Sequence, residues 1–191
     1  MNKTLYIRSL ILILAVFMES CWKDTSYRDA DYPDQLIYMP AAYNNNQFII
    51  ETVNSIRGSL PFDGNPYRYV IDAAKNEFRV PLSVYRSGIN NKGAFTVDIK
   101  VNTDVIATLN ENREVPYTII PSDKYSVVST VEMKNGEELA PFDLVIDLNL
   151  LRDNAPDAIF ALGIEISSKQ RERNEKLYVT AVIIHTKILT Q

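Results

Sequence analysis

The segment Phe95-Thr96-Val97-Asp98-Ile99-Lys100-Val101 alternates strictly between apolar residues at odd numbers and polar residues at even numbers. Successive side chains of a β-strand point to opposite faces, so this pattern predicts a strand with one buried face. The same alternation recurs in residues 142–148 (FDLVIDL) and 160–166 (FALGIEI). The period of two therefore predicts an all-β protein.

Six further segments show weaker strand patterns, at residues 36–39, 47–53, 67–71, 78–86, 124–133 and 177–189. The last of them is apolar on both faces, so we expect both of its faces to be covered. Pro81 removes a backbone donor from the segment 78–86, and we expect that strand to be a sheet edge or to carry a bulge. Asn135-Gly136 is a strong turn signal, because both residues tolerate positive φ.

One helix fits the pattern, at residues 104–111, with Thr103 as its cap and an apolar stripe that includes Val105 and Ile106. Many short strands separated by turns predict an antiparallel two-sheet sandwich with one short helix. A closed barrel remains the alternative, because both architectures have strands with one packed face.

The amino terminus combines a positive start with an apolar run. Lys3 and Arg8 lie close to the uncharged segment Leu10–Met18, and Ser20 precedes Cys21, which is the only cysteine. This order is that of a secretory signal, and the run is shorter than the about 20 residues that span a bilayer. The small residue before a cysteine resembles a bacterial lipoprotein signal, in which Cys21 would carry the lipid.

The residues around the cysteine add detail to that resemblance. Met18 and Glu19 depart from the usual lipoprotein signal, and this relaxed form resembles those of Bacteroidetes. Lys23-Asp24 resembles the charged export signal of Bacteroidetes lipoproteins that reach the outer face of the outer membrane. We therefore expect a signal peptide at 1–20, a flexible tether at 21–34 and one domain at 35–191. An ordinary cleaved signal and a short amphipathic anchor are the alternatives.

The charge of the chain argues against two classes of partner. The chain has 20 basic and 24 acidic side chains, a net charge of −4, and no basic run. This balance argues against a nucleic-acid partner and against electrostatic docking to anionic lipid.

The residues of common catalytic sites are scarce. His185 is the only histidine, and with Cys21 assigned to the anchor no nucleophile with a neighbouring base can be named. Asp143 and Asp147 would lie about 13 Å apart on one strand, which is wider than the about 5–10 Å that glycosidases use. We therefore predict no enzyme activity, no metal site and no cofactor.

Tyrosines beside amides are the better indication of a ligand. Of the 11 tyrosines, six fall between Tyr27 and Tyr69. A flat ring next to amide side chains suits a sugar, which offers an apolar face and a rim of hydroxyls, and exposed loop aromatics often mark binding sites. Packing of these rings within the sheets is the alternative. The candidate ligand-binding residues are Tyr43, Asn44, Asn45, Tyr67 and Tyr69.

Several segments, in order, carry a family resemblance: VPLSVYRSG (80–88), TDVIATLNEN (103–112), YTIIPSDKYSV (117–127), MKNGEELAPFDLVIDLNLL (133–151) and FALGIEISS (160–168). Over residues 35–170 the chain resembles the immunoglobulin-like amino-terminal module of Bacteroidetes surface lipoproteins. That module is of unknown function and often precedes a glycosidase or a lectin-like domain. The family's usual Leu-Pro turn is Ile120-Pro121 here, and we expect no downstream catalytic domain within the 191 residues.

The resemblance implies an immunoglobulin-like sandwich and a non-catalytic outer-membrane surface lipoprotein. Its function would be glycan binding or an accessory role in polysaccharide uptake. The implied partners are the membrane through the lipid anchor, a glycan, and other outer-membrane uptake proteins. A structural or adhesion subunit, acting as a spacer or pilus-like protein through strand pairing, is the alternative.

Overall fold

The structure is a computed structural model, which describes residues 34–52, 68–88 and 90–190. Residues Asp34–Gln191 form one compact unit. The predicted signal peptide, the predicted lipid-bearing Cys21, nearly all of the predicted tether, and Tyr67 lie outside the described residues and stay predictions. None of the helices within the described ranges is long and apolar enough to cross a bilayer.

The described part consists mainly of strands. In chain order they are β1 (Leu36–Tyr38), β2 (Gln47–Ile50), β3 (Val70–Asp72), β4 (Glu77–Arg86), β5 (Phe95–Val101), β6 (Thr118–Ile119), β7 (Tyr125–Val127), β8 (Thr130–Met133), β9 (Leu139–Asp147), β10 (Ile159–Ser167), β11 (Glu172–Arg173) and β12 (Val179–His185). Two α-helices, α1 (Asp104–Asn110) and α2 (Leu148–Asp153), and two 3-10 helices, Pro40–Ala42 and Thr186–Leu189, complete the elements.

The strands form two sheets, which confirms the predicted all-β sandwich. The first sheet has the order β11-β1-β4-β9-β7, and β3 also pairs with β4. The second sheet has the order β2-β12-β10-β5-β8, and β6 also pairs with β10. Most strand pairs are antiparallel, as predicted, and the pairs β1–β11, β6–β10 and β2–β12 are parallel. The prediction of a single helix was wrong, since α2 is a second one.

The core lies between the sheets and follows the period of two. Even-numbered residues of β4, such as Phe78 and Leu82, are at most 2% exposed, and Leu144 and Ile146 of the neighbouring β9 are fully buried. The inward side chains of β5 and β10 belong to the same buried cluster. The alternation that predicted these strands therefore places one face of each in the core.

Pro81 lies in a central strand, and the prediction of an edge or a bulge was wrong. The amide of Arg86 donates to the carbonyl of Glu138, so even-numbered residues of β4 bond to β9 and odd-numbered ones face the other side. On that side β3 pairs only up to Arg79, and β1 begins its pairing at Tyr85. Pro81 falls in the gap between these two strands, where a missing donor breaks no ladder.

The outer face of the second sheet carries α1. Ile106 of α1 is fully buried and packs in a cluster with Ala161 of β10 and Ala181 and Ile183 of β12. This cover confirms the prediction that both faces of the last strand are shielded. Gly163 of β10 permits the close approach, because a Cβ there would lie 2.0 Å from the carbonyl oxygen of Asn102.

The segment predicted as one strand at 124–133 forms two strands in different sheets. β7 pairs with β9 of the first sheet, whereas β8 pairs with β5 of the second. The chain crosses between the sheets at Val128 and Ser129, and the amide of Ile99 donates to the Ser129 carbonyl at 2.8 Å. Alternation lapses at the crossing, where apolar Val128 follows Val127 and polar Ser129 precedes Thr130, but apolar residues return at odd numbers from Val131, so the lapse alone does not indicate a change of sheet.

The strand predicted at 142–148 ends one residue early, because Asp147 caps α2. Its carboxylate accepts hydrogen bonds from the amides of Asn149 (2.9 Å) and Leu150 (3.4 Å), which lie in the first turn and have no acceptor within the helix. Lys124 and Asn76 also donate to this carboxylate, at 3.0 and 2.7 Å. Asp147 therefore joins three segments at one end of the sandwich.

Candidate functional site

Tyr43 projects from the turn between the first 3-10 helix and β2. Asn45 and Asn46 adopt positive φ angles of 49° and 59°, which asparagine tolerates better than most residues. The Asn46 amide donates to the Ala42 carbonyl at 2.9 Å, and the Asn46 carbonyl accepts from the Ala181 amide at 2.7 Å. The turn is thus tied to the second sheet, while the Tyr43 side chain is 85% exposed.

A shallow depression of about 290 Å³ lies beside this turn; we call it the Tyr43 depression. It is lined by Ala42, Tyr43, Asn45, Asn46, Asn174, Lys176 and Leu177. An exposed aromatic ring, three amide side chains and an ammonium group offer stacking together with donors and acceptors. Such a combination fits a sugar ring, which has an apolar face and hydroxyls around it.

The structure brings only part of the predicted ligand-binding set together. Tyr43 and Asn45 line the depression, and Asn44 is exposed in the same turn. Tyr69 is 5% exposed and stacks on Phe78 with ring centroids 4.9 Å apart and planes 16° apart. The prediction of Tyr69 as a binding residue was therefore wrong, because its ring is buried in the core. Asn174 and Lys176 were missed, since they come from a distant part of the chain.

A second depression, of about 680 Å³, lies along the connection between β10 and β12; we call it the Arg171 depression. Its lining runs from Ser167 to Arg173 and adds Glu175. Arg173 is neutralised there, because its guanidinium contacts Glu165 at 2.7 Å and Glu175 at 3.2 Å and stacks 3.7 Å above the ring of Tyr178. The two depressions thus adjoin one connection, which supplies residues to both.

Arg171 differs from Arg173 in its surroundings. Its guanidinium carbon lies 5.1 Å from the centre of the Phe95 ring, and its Nη1 donates to the Gln170 carbonyl at 2.8 Å. No carboxylate lies within 4.0 Å of it in the described part of the chain. Packing and one main-chain bond therefore hold this cation, and no acid among the described residues pairs with it.

Arg86 lies beneath the same ring and is 2% exposed. Its guanidinium donates to the carbonyls of Glu137 (2.6 Å), Lys92 (3.1 Å) and Gly93 (2.9 Å) and also to that of Lys134. Burial lowers the pKa of Arg86, and the nearby charge of Arg171 lowers it further. Arg86 therefore joins the β4–β5 loop to the β8–β9 turn. The only sequence signal was a charged residue at an inward position of β4.

The two carboxylates of β9 that the sequence singled out perform structural roles. Asp147 caps α2, and Asp143 lies 3.8 Å from Arg79. Burial, followed by the charge of Lys187, lowers the pKa of His185. Within residues 34–52, 68–88 and 90–190, no group of three or more His, Cys, Asp or Glu side chains is placed to hold a metal ion.

Comparison with solved structures finds the same fold in Bacteroides proteins. A proposed carbohydrate-binding protein from Bacteroides ovatus matches with a TM-score of 0.53 and 9% identity over 78% of this chain and 36% of its own. A Bacteroides ovatus protein of unknown function matches with a TM-score of 0.51 and 9% identity over 80% of this chain and 52% of its own. A two-domain protein of unknown function from Bacteroides fragilis matches with a TM-score of 0.50 and 15% identity over 80% of this chain and 45% of its own.

The chain thus spans between about a third and a half of the length of these proteins. Identities this low show the fold alone. No curated protein matches the chain. A model of a family of N-terminal domains matches residues 32–173, which is well over half of the sequence. The fold and this match confirm the expected resemblance to an N-terminal module found in Bacteroidetes. The chain belongs to this family of N-terminal domains.

Proposed function

We propose that this protein is a non-catalytic glycan-binding or accessory module of a polysaccharide-uptake system. In the same proposal, Cys21 carries a lipid that holds the protein on the outer face of the outer membrane. The observation that carries the glycan proposal is the Tyr43 ring, which is 85% exposed beside Asn45, Asn174 and Lys176. The exposed ring offers a flat apolar face, and the amides beside it supply hydrogen bonds to hydroxyls.

Two further observations support the proposal. A solved protein with the same fold is a proposed carbohydrate-binding protein. The two carboxylates that the sequence placed on one strand serve separate partners, since Asp143 lies 3.8 Å from Arg79 and Asp147 pairs with Lys124. An accessory role in glycan capture therefore needs no reactive group from this domain.

A glycan array tests the proposal, with the purified chain compared with Tyr43→Ala and Tyr43→Phe. We expect wild type to bind at least one plant, host or microbial glycan and Tyr43→Ala to lose about tenfold in affinity, since stacking contacts contribute about 0.5–1.5 kcal/mol beyond area burial. Tyr43→Phe keeps the ring and serves as the matched control, which should bind within about threefold of wild type. Equal binding by all three proteins would show that Tyr43 is not the platform.

The alternative, a structural or adhesion subunit that pairs with a partner strand, is less well supported by the edges of the sheets. The terminal strands β11, β7, β2 and β8 are two, three, four and four residues long. A donated strand would gain few ladder hydrogen bonds on edges this short, and strand addition depends on those bonds.

A further inference from the structure

We propose that the glycan is acidic, and that its carboxylate or sulfate groups bind Arg171 at one end of the connection between β10 and β12. The inference rests on the proposed function of the Tyr43 depression and names the class of ligand that it takes. The starting observation is that the cation of Arg171 has no acid partner in the described part of the chain, whereas Arg173 two residues later has two.

Arg171 is prepared for an anion. Contact with the Phe95 ring and the bond to the Gln170 carbonyl fix the guanidinium before any ligand arrives. A planar guanidinium binds a carboxylate or a sulfate through two parallel hydrogen bonds, and little entropy is lost when the group is already held. The guanidinium lies close to the backbone of Gly93, since a Cβ added to that glycine would be 3.3 Å from Nη2 of Arg171. The exposed Lys92 is the preceding residue.

The surroundings of Arg171 add positive charge. Arg86 lies against the same Phe95 ring, 5.3 Å from its centre, and is bonded only to carbonyl oxygens. The lining of the Arg171 depression carries Lys169, Arg171 and Arg173 against Glu172 and Glu175. The neighbouring segments add the exposed Lys92 and Lys134 and the exposed Glu132, Glu137 and Glu138. The lining therefore has a charge of +1 on a chain whose net charge is −4, so an anion is repelled less here than by the chain as a whole.

The connection between β10 and β12 leads from Arg171 to the Tyr43 depression. Asn174, Lys176 and Leu177 line that depression, and residues 167–173 and 175 line the other. Arg171 and Lys176 are five residues apart, so their Cα atoms are separated by at most about 18 Å. An extended polysaccharide lying along the connection can therefore stack on Tyr43 and place an acidic group on Arg171.

Binding of the purified chain is measured against polygalacturonate, chondroitin sulfate, neutral dextran and polyglutamate, which carries charge without sugar rings. We expect one of the two acidic polysaccharides to bind at least tenfold more tightly than dextran and polyglutamate, with affinity that falls as salt rises. The two acidic polymers distinguish carboxylate from sulfate. Arg171→Gln should bind the preferred acidic polysaccharide about tenfold more weakly than wild type. Arg152→Gln is the matched control, because Arg152 lies in α2 at the opposite end of β9.

Lys92→Gln is a second variant, which keeps the test decisive if Arg171→Gln proves unstable, because Lys92 is exposed. Its affinity for the acidic polysaccharide should fall about threefold. If dextran binds as tightly as the acidic polysaccharides and both variants bind like wild type, the inference of an acidic ligand is wrong, although the protein still binds glycans. If polyglutamate binds as tightly as the acidic polysaccharides, charge alone explains the binding, and the inference is also wrong. If no glycan binds here or on the array, the proposed function itself fails.

Discussion

Replacement of Arg86 by methionine provides a strong test of how this fold is held together. Methionine keeps most of the buried volume, so the change removes the four hydrogen bonds to the carbonyls of Glu137, Lys92, Gly93 and Lys134 without opening a large cavity. Hydrogen bonds from charged donors contribute about 1.5–3 kcal/mol each, but carbonyls of exposed loops regain water when the donor is lost.

We expect half of those carbonyls to be rehydrated, which leaves a loss of about 3–4 kcal/mol in the free energy of unfolding. For a domain of this size the melting temperature should fall by about 10 °C. Arg86→Lys should lie between wild type and Arg86→Met, because one ammonium group cannot reach four carbonyls with the spread of a guanidinium.

Urea and thermal unfolding followed by circular dichroism measure these values. Arg79→Met is the matched control on the same strand, because Arg79 is partly exposed and its ion pairs with Glu77 and Asp143 are 3.8 Å long. Pairs of this kind contribute about 0–1 kcal/mol, so its melting temperature should change by no more than about 3 °C. If Arg86→Met proves as stable as Arg79→Met, the guanidinium does not hold the two loops together and the reasoning is wrong.

Three further predictions concern other parts of the chain. Gly163→Ala should lose about 3 kcal/mol in urea unfolding, because its Cβ would overlap the Asn102 carbonyl; a loss under 1 kcal/mol would contradict the packing of α1. The bond from Lys124 lowers the pKa of Asp147, so this carboxylate stabilises the fold above its unfolded pKa of about 3.9 and loses that contribution as pH falls through the lower folded pKa. Asp147→Asn should flatten the loss of stability below pH 4, and an unchanged acid profile would refute this. Labelled fatty acid should enter wild type and not Cys21→Ser in cells, and equal labelling would end the lipid-anchor proposal.

The sequence predicted the fold well where each strand has one buried face. Phe95–Val101 is β5 exactly as its alternation indicated, and α1 occupies the predicted helical segment. The division of 124–133 into β7 and β8 was not predicted. The alternation lapses at Val128 and Ser129, but apolar residues resume at odd numbers from Val131, so the lapse resembles an irregularity within one strand. Periodicity reports which side of a strand is buried, and it carries no information about which sheet the strand joins.

The candidate site was predicted only in part, for a related reason. Tyr43 and Asn45 are neighbours in the sequence, so their combination of ring and amide was visible. Asn174 and Lys176 reach the depression through the pairing of β11 with β1, which no local pattern encodes. Tyr69 follows a polar segment of the sequence, which is also typical of exposed tyrosines. Its burial depends on stacking against Phe78, a contact that the local sequence does not encode.

The crossing at Val128 and Ser129 has a consequence for how the domain unfolds. Two packed sheets lie about 10 Å apart, and the three steps from Val127 to Thr130 span at most about 11 Å. Because this connection is only two residues long, the two sheets cannot move far apart at this edge unless β7 or β8 first detaches. The two layers should accordingly melt together, in a single all-or-none transition.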